Sequence, residues 1–559
     1  MDRETIVSML EELALLSEVL GENPFKARAY AGAARTLSKV PGPVETWPQP
    51  GVLEAFPGVG KAIAEKVREA LASGSMAKLE ELRAEVPEGV REMLVVPGLG
   101  PKKASVLWRD LGVLSLGELE YACLENRLVR LKGFGEKTQE KVLSGVRFRL
   151  RQAGRFLLPQ ALAARRAAEA RLLRALPDRC WAWTGEAARL CPVVQGLEVL
   201  TVEGSAARAA AEVLGLPGDG QVPKGTTADG FPLTLRSSPS HSFGASLVWH
   251  ASAPPFREAL AERLAAAGLA WTEHGLHSAG APIPTPTEEA FWAAVGRPPT
   301  PVECRELPEA LDVDLSALVA EEDLRGAFHV HTDWSDGGAS LEAMAAAAAE
   351  RGWAFLGIAD HSRSAVYAGG LDEGRLTDQR RAVEDVRRSL PSLRIYHGVE
   401  SDILSEGALD YSDDVLASLE GVVASVHSRF ALAREEQTRR LTAALSHPAT
   451  AILGHPTGRL LLSREGYDLD WDAVVDAAAA HGKALELNAN PHRLDVDWRR
   501  IPGLMSAGVA VAINPDAHAI GGLDDLRYGV WAARKGLARR ERVVNAWSAE
   551  ALEAWLRGE

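Results

Sequence analysis

The sequence predicts a multidomain chain that joins α+β and α/β parts: a helical first third, a mixed middle, and a C-terminal parallel β/α domain. Three observations predict it. The chain has 559 residues, enough for about three or four domains of ordinary size. Residues 1–150 alternate helical segments with short Gly-bearing turns, whereas residues 180–250 carry short β-like runs (VVQGLEVLTV, FPLTLR, GASLVWH) separated by Gly and Pro. From about residue 325, apolar runs recur about every 25–35 residues with helical stretches between them (AFLGIADH, LRIYHGVE, GVVASVH, TAILGHP, KALELNAN, VAVAINPDAH). That alternation belongs to a parallel barrel or a doubly wound sheet.

The opening segment, MDRETIVSMLEELALLSEVLG, is acidic with a single Arg. It reads as an amphipathic helix rather than a secretion signal. No apolar run reaches the ~18 residues of a membrane span. The four cysteines, Cys123, Cys180, Cys191 and Cys304, form no CxxC pair. They suggest neither a zinc finger nor a disulfide framework, and a reducing cytoplasm suits them. The net charge of −14 hides an asymmetry: residues 1–180 hold 28 Lys+Arg against 23 Asp+Glu, and residues 181–559 hold 34 against 53. The first third is therefore the natural place for a phosphate-backbone partner.

Within that third a phrase recurs three times: FPGVGKAIAEKV (56–67), VPGLGPKKASVL (96–107) and LKGFGEKTQEKV (131–142). Each places two glycines, Gly58 and Gly60, Gly98 and Gly100, or Gly133 and Gly135, ahead of a helix start bearing Lys61, Lys102 and Lys103, or Lys137. Glycine permits φ > 0 and removes the Cβ, so a phosphate approaches the backbone closely. The open N–H groups at a helix N-terminus then face that anion. These phrases resemble helix-hairpin-helix motifs, which hold nucleic acid without reading its sequence. With NPFKARAYAGAAR (23–35), the region is similar to the start of a family X DNA polymerase, where Lys26, Arg28 and Tyr30 match positions near the grip on the 5′ side of a gap.

After the periodic helical stretch 159–176 (PQALAARRAAEARLLRAL), that resemblance implies a nucleotidyltransferase-like palm and a small thumb. SHSFGASLVWHASA (240–253) resembles the segment that holds the incoming nucleotide, and TEEAFWAAVGRPPTPVECREL (287–307) the end of the thumb. The family places two aspartates one apart on a strand and a third on its neighbour, to bridge two Mg²⁺ ions. Here QGLEVL puts Gly196 and Glu198 at the first two positions, and PLTLR puts Thr234 at the third. One carboxylate remains where a Mg²⁺ pair needs at least two, so weak or absent templated synthesis is expected from a degenerate site. The Gly-Ser step for the triphosphate reads Thr184-Gly185-Glu186. A substitute acid, Glu203 or Asp229, is the route by which a DNA-directed polymerase activity would persist.

The C-terminal strand ends carry acids and imidazoles: His329 and His331 (FHVHTD), Asp336 (SDG), Asp360 and His361 (ADHS), Glu400 (GVESD), His427 (SVHSR), His455 (GHPTG), Asp516 and His518 (PDAH). Residues i and i+2 of a strand share a face, and in parallel β/α folds the C-terminal strand ends converge. A mixed His/carboxylate set suits Mn²⁺, Zn²⁺ or Fe²⁺ better than Mg²⁺ alone. The set resembles the PHP (polymerase and histidinol phosphatase) family. That resemblance implies a distorted (β/α)7 barrel over 325–559 and two or three divalent metals, with Mn²⁺ favoured. They would be held by His329, His331, Asp336, His361, Glu400, His427, His455, Asp516 and His518. His329, His331 and Asp336 would be central to catalysis. Arg459 (HPTGR) and Arg429 (VHSRF), beside ligands, would steady the phosphate.

The whole chain thus resembles bacterial family X DNA polymerases with a PHP domain. The implied organisation is a DNA-binding lobe with the first hairpin (1–80), fingers with two more (81–155), palm (156–240), thumb (241–308), linker (309–324) and PHP domain (325–559). The implied activity is metal-dependent 3′→5′ exonucleolysis in DNA repair, on gapped or broken DNA. The implied setting is a monomer at the nucleoid of a bacterial cytoplasm, with no membrane partner. A non-catalytic DNA-end scaffold and a small-phosphate-ester hydrolase are the alternatives, and the hairpins argue against the latter.

Overall fold

The computed structural model describes residues 2–40, 44–124, 127–152, 154–178, 180–217, 222–227 and 230–559. The chain divides into two compact units, Met1–Ala153 and Gly154–Glu559. The first is built from helices, without strands among its described residues. Asp2 caps the opening helix Arg3–Leu20 by accepting a hydrogen bond from Thr5 N–H, the usual service of an N-cap acid. Leu10, Leu13, Leu16, Leu37, Trp47, Leu53, Val67, Leu79 and Leu107 fill its core. The helices Lys61–Ser73, Pro101–Leu111 and Glu136–Gln152 each follow one of the repeated glycine phrases.

The second unit opens with a two-residue strand, Phe156–Leu157, and the helix Leu158–Ala175. Beside it lies a four-stranded sheet in the order Trp181–Thr184, Leu197–Val202, Pro232–Ser238, Lys224–Thr226. Leu197–Val202 runs parallel to Pro232–Ser238, with Glu198 directly opposite Thr234. GASLVWH, expected as a β-like run, is instead the interior of a helix, Phe243–His250. A short apolar run has no period that separates strand from buried helix, and the burial of Phe243, Ala245 and Val248 decides it. A small antiparallel sheet, Leu269–Thr272, Gly275–Ser278 and Ala281–Ile283, follows.

The Pro-rich stretch 298–308, at the end of the expected thumb, is a wedge. Arg305 and Glu306 are buried in it. One oxygen of Glu306 accepts from Arg189 Nε at 2.8 Å and lies 3.2 Å from Lys535 Nζ. Lys535, fully buried, also donates to the Arg189 carbonyl. This buried ion cluster ties the four-stranded sheet to the domain that follows.

That domain is a barrel of seven parallel strands in chain order: β1 Gly326–Val330, β2 Phe355–Ile358, β3 Arg394–Asp402, β4 Gly421–Ser425, β5 Thr450–Leu453, β6 Ala484–Asn488 and β7 Val511–Asn514. A helix follows each, from Leu341–Glu350 after β1 to Leu526–Lys535 after β7. The strands are buried almost throughout, as parallel strands covered on both faces must be. Closure between β1 and β7 is loose. His331 N–H donates to Ala517 O at 2.9 Å, Ala517 N–H reaches His329 O at 3.4 Å, and the Asn514 side chain accepts from Phe328 N–H. β1 also shifts register against β2 between Ala327 and Val330. The result is the distorted (β/α)7 barrel the sequence led us to expect.

Candidate metal centre and nucleic-acid interface

The strand ends bring the nine expected groups to one place at the C-terminal mouth of the barrel. Glu400 lies at the centre. Its Oε1 is 3.2 Å from His329 Nε2, 3.2 Å from His427 Nε2 and 3.0 Å from His455 Nε2, and its Oε2 is 2.9 Å from His361 Nδ1. Asp516 Oδ1 is 3.2 Å from His331 Nε2 and 3.6 Å from His329 Nε2. Asp336 lies 3.4 Å from His518 Nε2 and 3.6 Å from His361 Nε2. Side-chain exposure rises from 0% at His331 to 34% at Asp336 and 40% at His518, so the Asp336–His518 side is the open one.

Neighbouring acids hold the ligands. Glu486 lies 2.8 Å from His329 Nδ1, and its other oxygen accepts from His455 N–H at 2.7 Å. Asp402 binds His427 Nδ1 at 2.6 Å and accepts from the Ser364 hydroxyl. Asp360 accepts from Thr332 N–H, the Thr332 and Ser335 hydroxyls and Gln379 Nε2, which fixes the turn carrying Asp336. His455 and Asp516 adopt positive φ, 25° and 52°. Such conformations cost about 1–3 kcal/mol each and persist where the surroundings over-determine them.

The electrostatics match the geometry. Burial alone would raise Glu400, but His427, His329 and His361 outweigh it and hold the carboxyl well below its usual range. Asp516 and Asp336 are depressed in the same way. Burial would lower His361 and His427, yet Glu400 leads the neighbours that lift them to about 10 and about 9. Carboxylates and imidazoles thus hold each other's charge across the cluster. Among the described residues, His329 Nε2, both ring nitrogens of His331 and Glu400 Oε2 are buried and meet neighbouring ligand groups without good hydrogen-bond geometry, a state polar atoms rarely tolerate. Three groups, each with ligand atoms within 4.8 Å of one another, fit divalent metal: His331/Asp336/His361/His518, His329/His331/Asp516, and His361/Glu400/His427.

Arg459 is placed otherwise than expected. Its guanidinium is engaged by Asp497 at 2.5 Å and by the Arg493 and Leu494 carbonyls, so it braces the turn 493–497. The cation beside the ligands is Arg493, whose Nε lies 3.4 Å from Asp516 Oδ2 and whose terminal nitrogens make no protein hydrogen bond among the described residues. Sequence adjacency to a ligand favoured Arg459, and side-chain direction overrules it. Arg429 is exposed with φ 56°.

On the four-stranded sheet, Glu198 is paired with Arg236 at 3.0 Å. A Cβ on Gly185 would sit 2.9 Å from the Glu198 carboxyl, so that carboxyl covers the Gly185 turn. A Cβ on Gly196 would lie 2.9 Å from Pro232 O, leaving no room for a side chain there. Glu186 is spent on Gln195 N–H. Glu203 is exposed just beyond its strand, and Asp229 lies outside the described residues.

The glycine phrases fold alike. Gly58, Gly98 and Gly133 have φ of 81°, 92° and 92°, which L side chains resist. Gly60 and Gly100 are N-caps with ordinary extended backbone and no side-chain cap. A Cβ at Gly60, Gly100 or Gly135 would meet nothing within 4 Å. The fold itself therefore has no need of glycine at these three positions. Lys61, Lys102 and Lys137 are exposed beside them, and Lys103 stands over Phe134. Lys26 and Arg28 are exposed, with Arg28 stacked on Phe25.

A nearly closed parallel barrel with this His/carboxylate cluster at its mouth is a PHP-type metal-dependent hydrolase domain, following in the chain a helical unit of glycine hairpins. Residues 1–76 match a helix-hairpin-helix domain and residues 90–147 a SAM-like helix-hairpin-helix tandem. The chain is 33% identical over 581 residues, covering 100% of both chains, to the DNA polymerase/3′-5′ exonuclease PolX of Bacillus subtilis (strain 168). It is 30% identical over 193 residues to a probable phosphatase of Caldicellulosiruptor saccharolyticus, covering 32% of this chain and 73% of that one. A probable phosphatase of Syntrophotalea carbinolica is similar at 30% over 177 residues, covering 31% of this chain and 67% of the other. The chain belongs to the PolX family of bacterial family X DNA polymerases with a PHP domain.

Proposed function

We propose that this protein binds gapped or broken DNA through its glycine hairpins and degrades it from 3′ ends by divalent-metal-dependent hydrolysis at the barrel mouth. The observation that carries the reading is Glu400: one buried carboxylate within 3.2 Å of ring nitrogens of four histidines. Imidazole nitrogens converging on one buried carboxylate are the donor set a divalent cation takes. His331, Asp336, His361 and His518 would hold one, His329, His331 and Asp516 a second, and Glu400, His361, His427 and His455 a third. The mixed donor set favours Mn²⁺, with Zn²⁺ and Fe²⁺ as competitors.

Bound there, such ions acidify water and neutralise the charge that builds on a phosphodiester during hydrolysis. The chain's own residues do the rest. Glu486 and Asp402 accept the Nδ1 protons of His329 and His427, so each ring presents Nε2 inward. Asp360 fixes the turn of Asp336. Arg493 steadies a phosphate oxygen beside Asp516.

The palm-like sheet contributes no templated synthesis in this reading. Gly196 and Thr234 offer no carboxylate, and Glu198 is neutralised by Arg236. Relatedness to a protein bearing both activities in its name supports the nuclease half through the barrel. Nuclease and primer-extension assays on wild type and on a His329→Ala/His331→Ala variant, with metal analysis, test the proposal. Exonuclease activity should vanish with the metal. Nuclease that survives the double change would overturn the assignment.

A further inference from the structure

We infer that the helix Leu158–Ala175 is a second nucleic-acid contact surface, a strip of unpaired arginines that rides the phosphate backbone of duplex DNA. The inference rests on the DNA-binding reading above, but on other residues. Residues 1–150 hold 21 Lys+Arg and 21 Asp+Glu, so the hairpin region is neutral overall. The whole positive surplus of the first third comes from residues 151–180, with seven basic residues against two acidic.

The helix packs its other side through Leu158, Ala161, Ala164, Ala168 and Leu172. Its outer face exposes Arg166, Arg171 and Arg174, separated by exposed Ala163, Ala167 and Ala170. Among the described residues none of the three arginines has an ion pair or hydrogen bond. By contrast, Arg263, Arg351, Arg381, Arg388 and Arg394, elsewhere in this unit, each meet an acid. The helix's one acid, Glu169, is turned toward Arg165. Acids three or four residues away commonly neutralise such cations on a helix; here Glu169, three after Arg166, turns to Arg165 instead, and Asp178, four after Arg174, lies beyond the helix end. Alanine between the guanidiniums keeps the surface flat, so a polyanion can lie against it. Arg166 and Arg174 are about 12 Å apart along the axis, the rise of about three phosphates on one strand. Each guanidinium fork suits a phosphate.

The test measures binding of the full chain to an end-labelled gapped duplex by fluorescence anisotropy, with chelator present to prevent cleavage, as salt is raised. The variant is Arg166→Gln/Arg171→Gln/Arg174→Gln. Arg380→Gln/Arg381→Gln/Arg388→Gln, on the helix Glu373–Ser389, removes the same charge elsewhere. Each lost phosphate contact removes about 0.9 from the log–log salt slope. The strip variant should therefore lose about 2–3 from the slope and at least about tenfold in low-salt affinity, while the control stays near wild type. An unchanged slope in the strip variant, with binding still lost on Gly60→Ala/Gly100→Ala/Gly135→Ala, overturns the inference and leaves the hairpin reading intact. It would assign the strip to an acidic protein surface. Binding that survives both sets of changes overturns the hairpin reading as well. An equal loss in the control also overturns the inference, because net charge alone would explain it.

Discussion

Glu486 Oε1 lies 2.8 Å from His329 Nδ1, with both side chains fully buried. The carboxylate fixes the imidazole with Nε2 toward Glu400 and Asp516, while its second oxygen anchors the His455 backbone. Glu486→Gln keeps the shape and loses the charge. We expect metal affinity or exonuclease rate to fall by about 10–100-fold, the usual cost of such a change, checked by metal titration alongside the nuclease assay.

Arg459 and Arg493 separate by role. Arg493→Ala should weaken substrate binding and turnover while melting temperature and metal content stay near wild type, and Arg493→Lys should recover part of the loss. Arg459→Ala leaves two carbonyls without their donor and Asp497 with Arg499 alone, so it should lower thermal stability by about 1–3 kcal/mol. Steady-state kinetics and calorimetry on the two variants distinguish them.

Glu306 makes the second unit acid-sensitive. Burial would raise its carboxyl, but Lys535 and then Arg189 draw it down from an ordinary 4.5 to about 2. A depressed carboxylate contributes stability that is present above its unfolded value and lost as pH falls through the folded one. The contribution is about 3 kcal/mol, surrendered between pH about 4.5 and about 2. Glu306→Gln should flatten that part of the pH–stability curve. It should also destabilise at neutral pH by about 3–5 kcal/mol, because Lys535 is left buried and uncompensated.

Glu198→Ala should leave primer extension at its wild-type level, since the carboxylate already belongs to Arg236. Gly196→Asp should fail to install a polymerase site and should lower stability, because its Cβ meets Pro232 O at 2.9 Å. Extension that falls with the first change would return the palm-like sheet to active duty.

The Gly60→Ala/Gly100→Ala/Gly135→Ala variant should lose DNA affinity with only a small change in melting temperature, because none of the three added methyls meets anything in the fold. A large melting shift with unchanged affinity would make these glycines structural.

Much of this architecture is legible in the sequence because the chemistry sits at strand ends. Each ligand phrase follows an apolar run, so the runs give the barrel and their last residues give the site. The supporting acids were missed because they lie within the runs. Glu486 and Asn488 in ALELN, and Asp402 at the end of β3, break an otherwise apolar stretch, and a charged residue inside a doubly covered strand was the available signal. GASLVWH has no readable period, and nothing local tells the Arg459 side chain which way to turn. Asp336 and Glu198 look alike on paper. One joins three imidazoles and the other a guanidinium, a difference that only tertiary contacts create.

The loose closure of the barrel has a mechanical consequence. At the C-terminal end of β1, backbone bonds to the chain after β7 run between His329, His331 and Ala517, and both histidines belong to the cluster that gathers residues from the two ends of the sheet. The cations that equip this mouth for hydrolysis therefore also act as its clasp. Stripping them should let the seam breathe, and amide exchange at His331 and Ala517 should quicken before any other strand loosens.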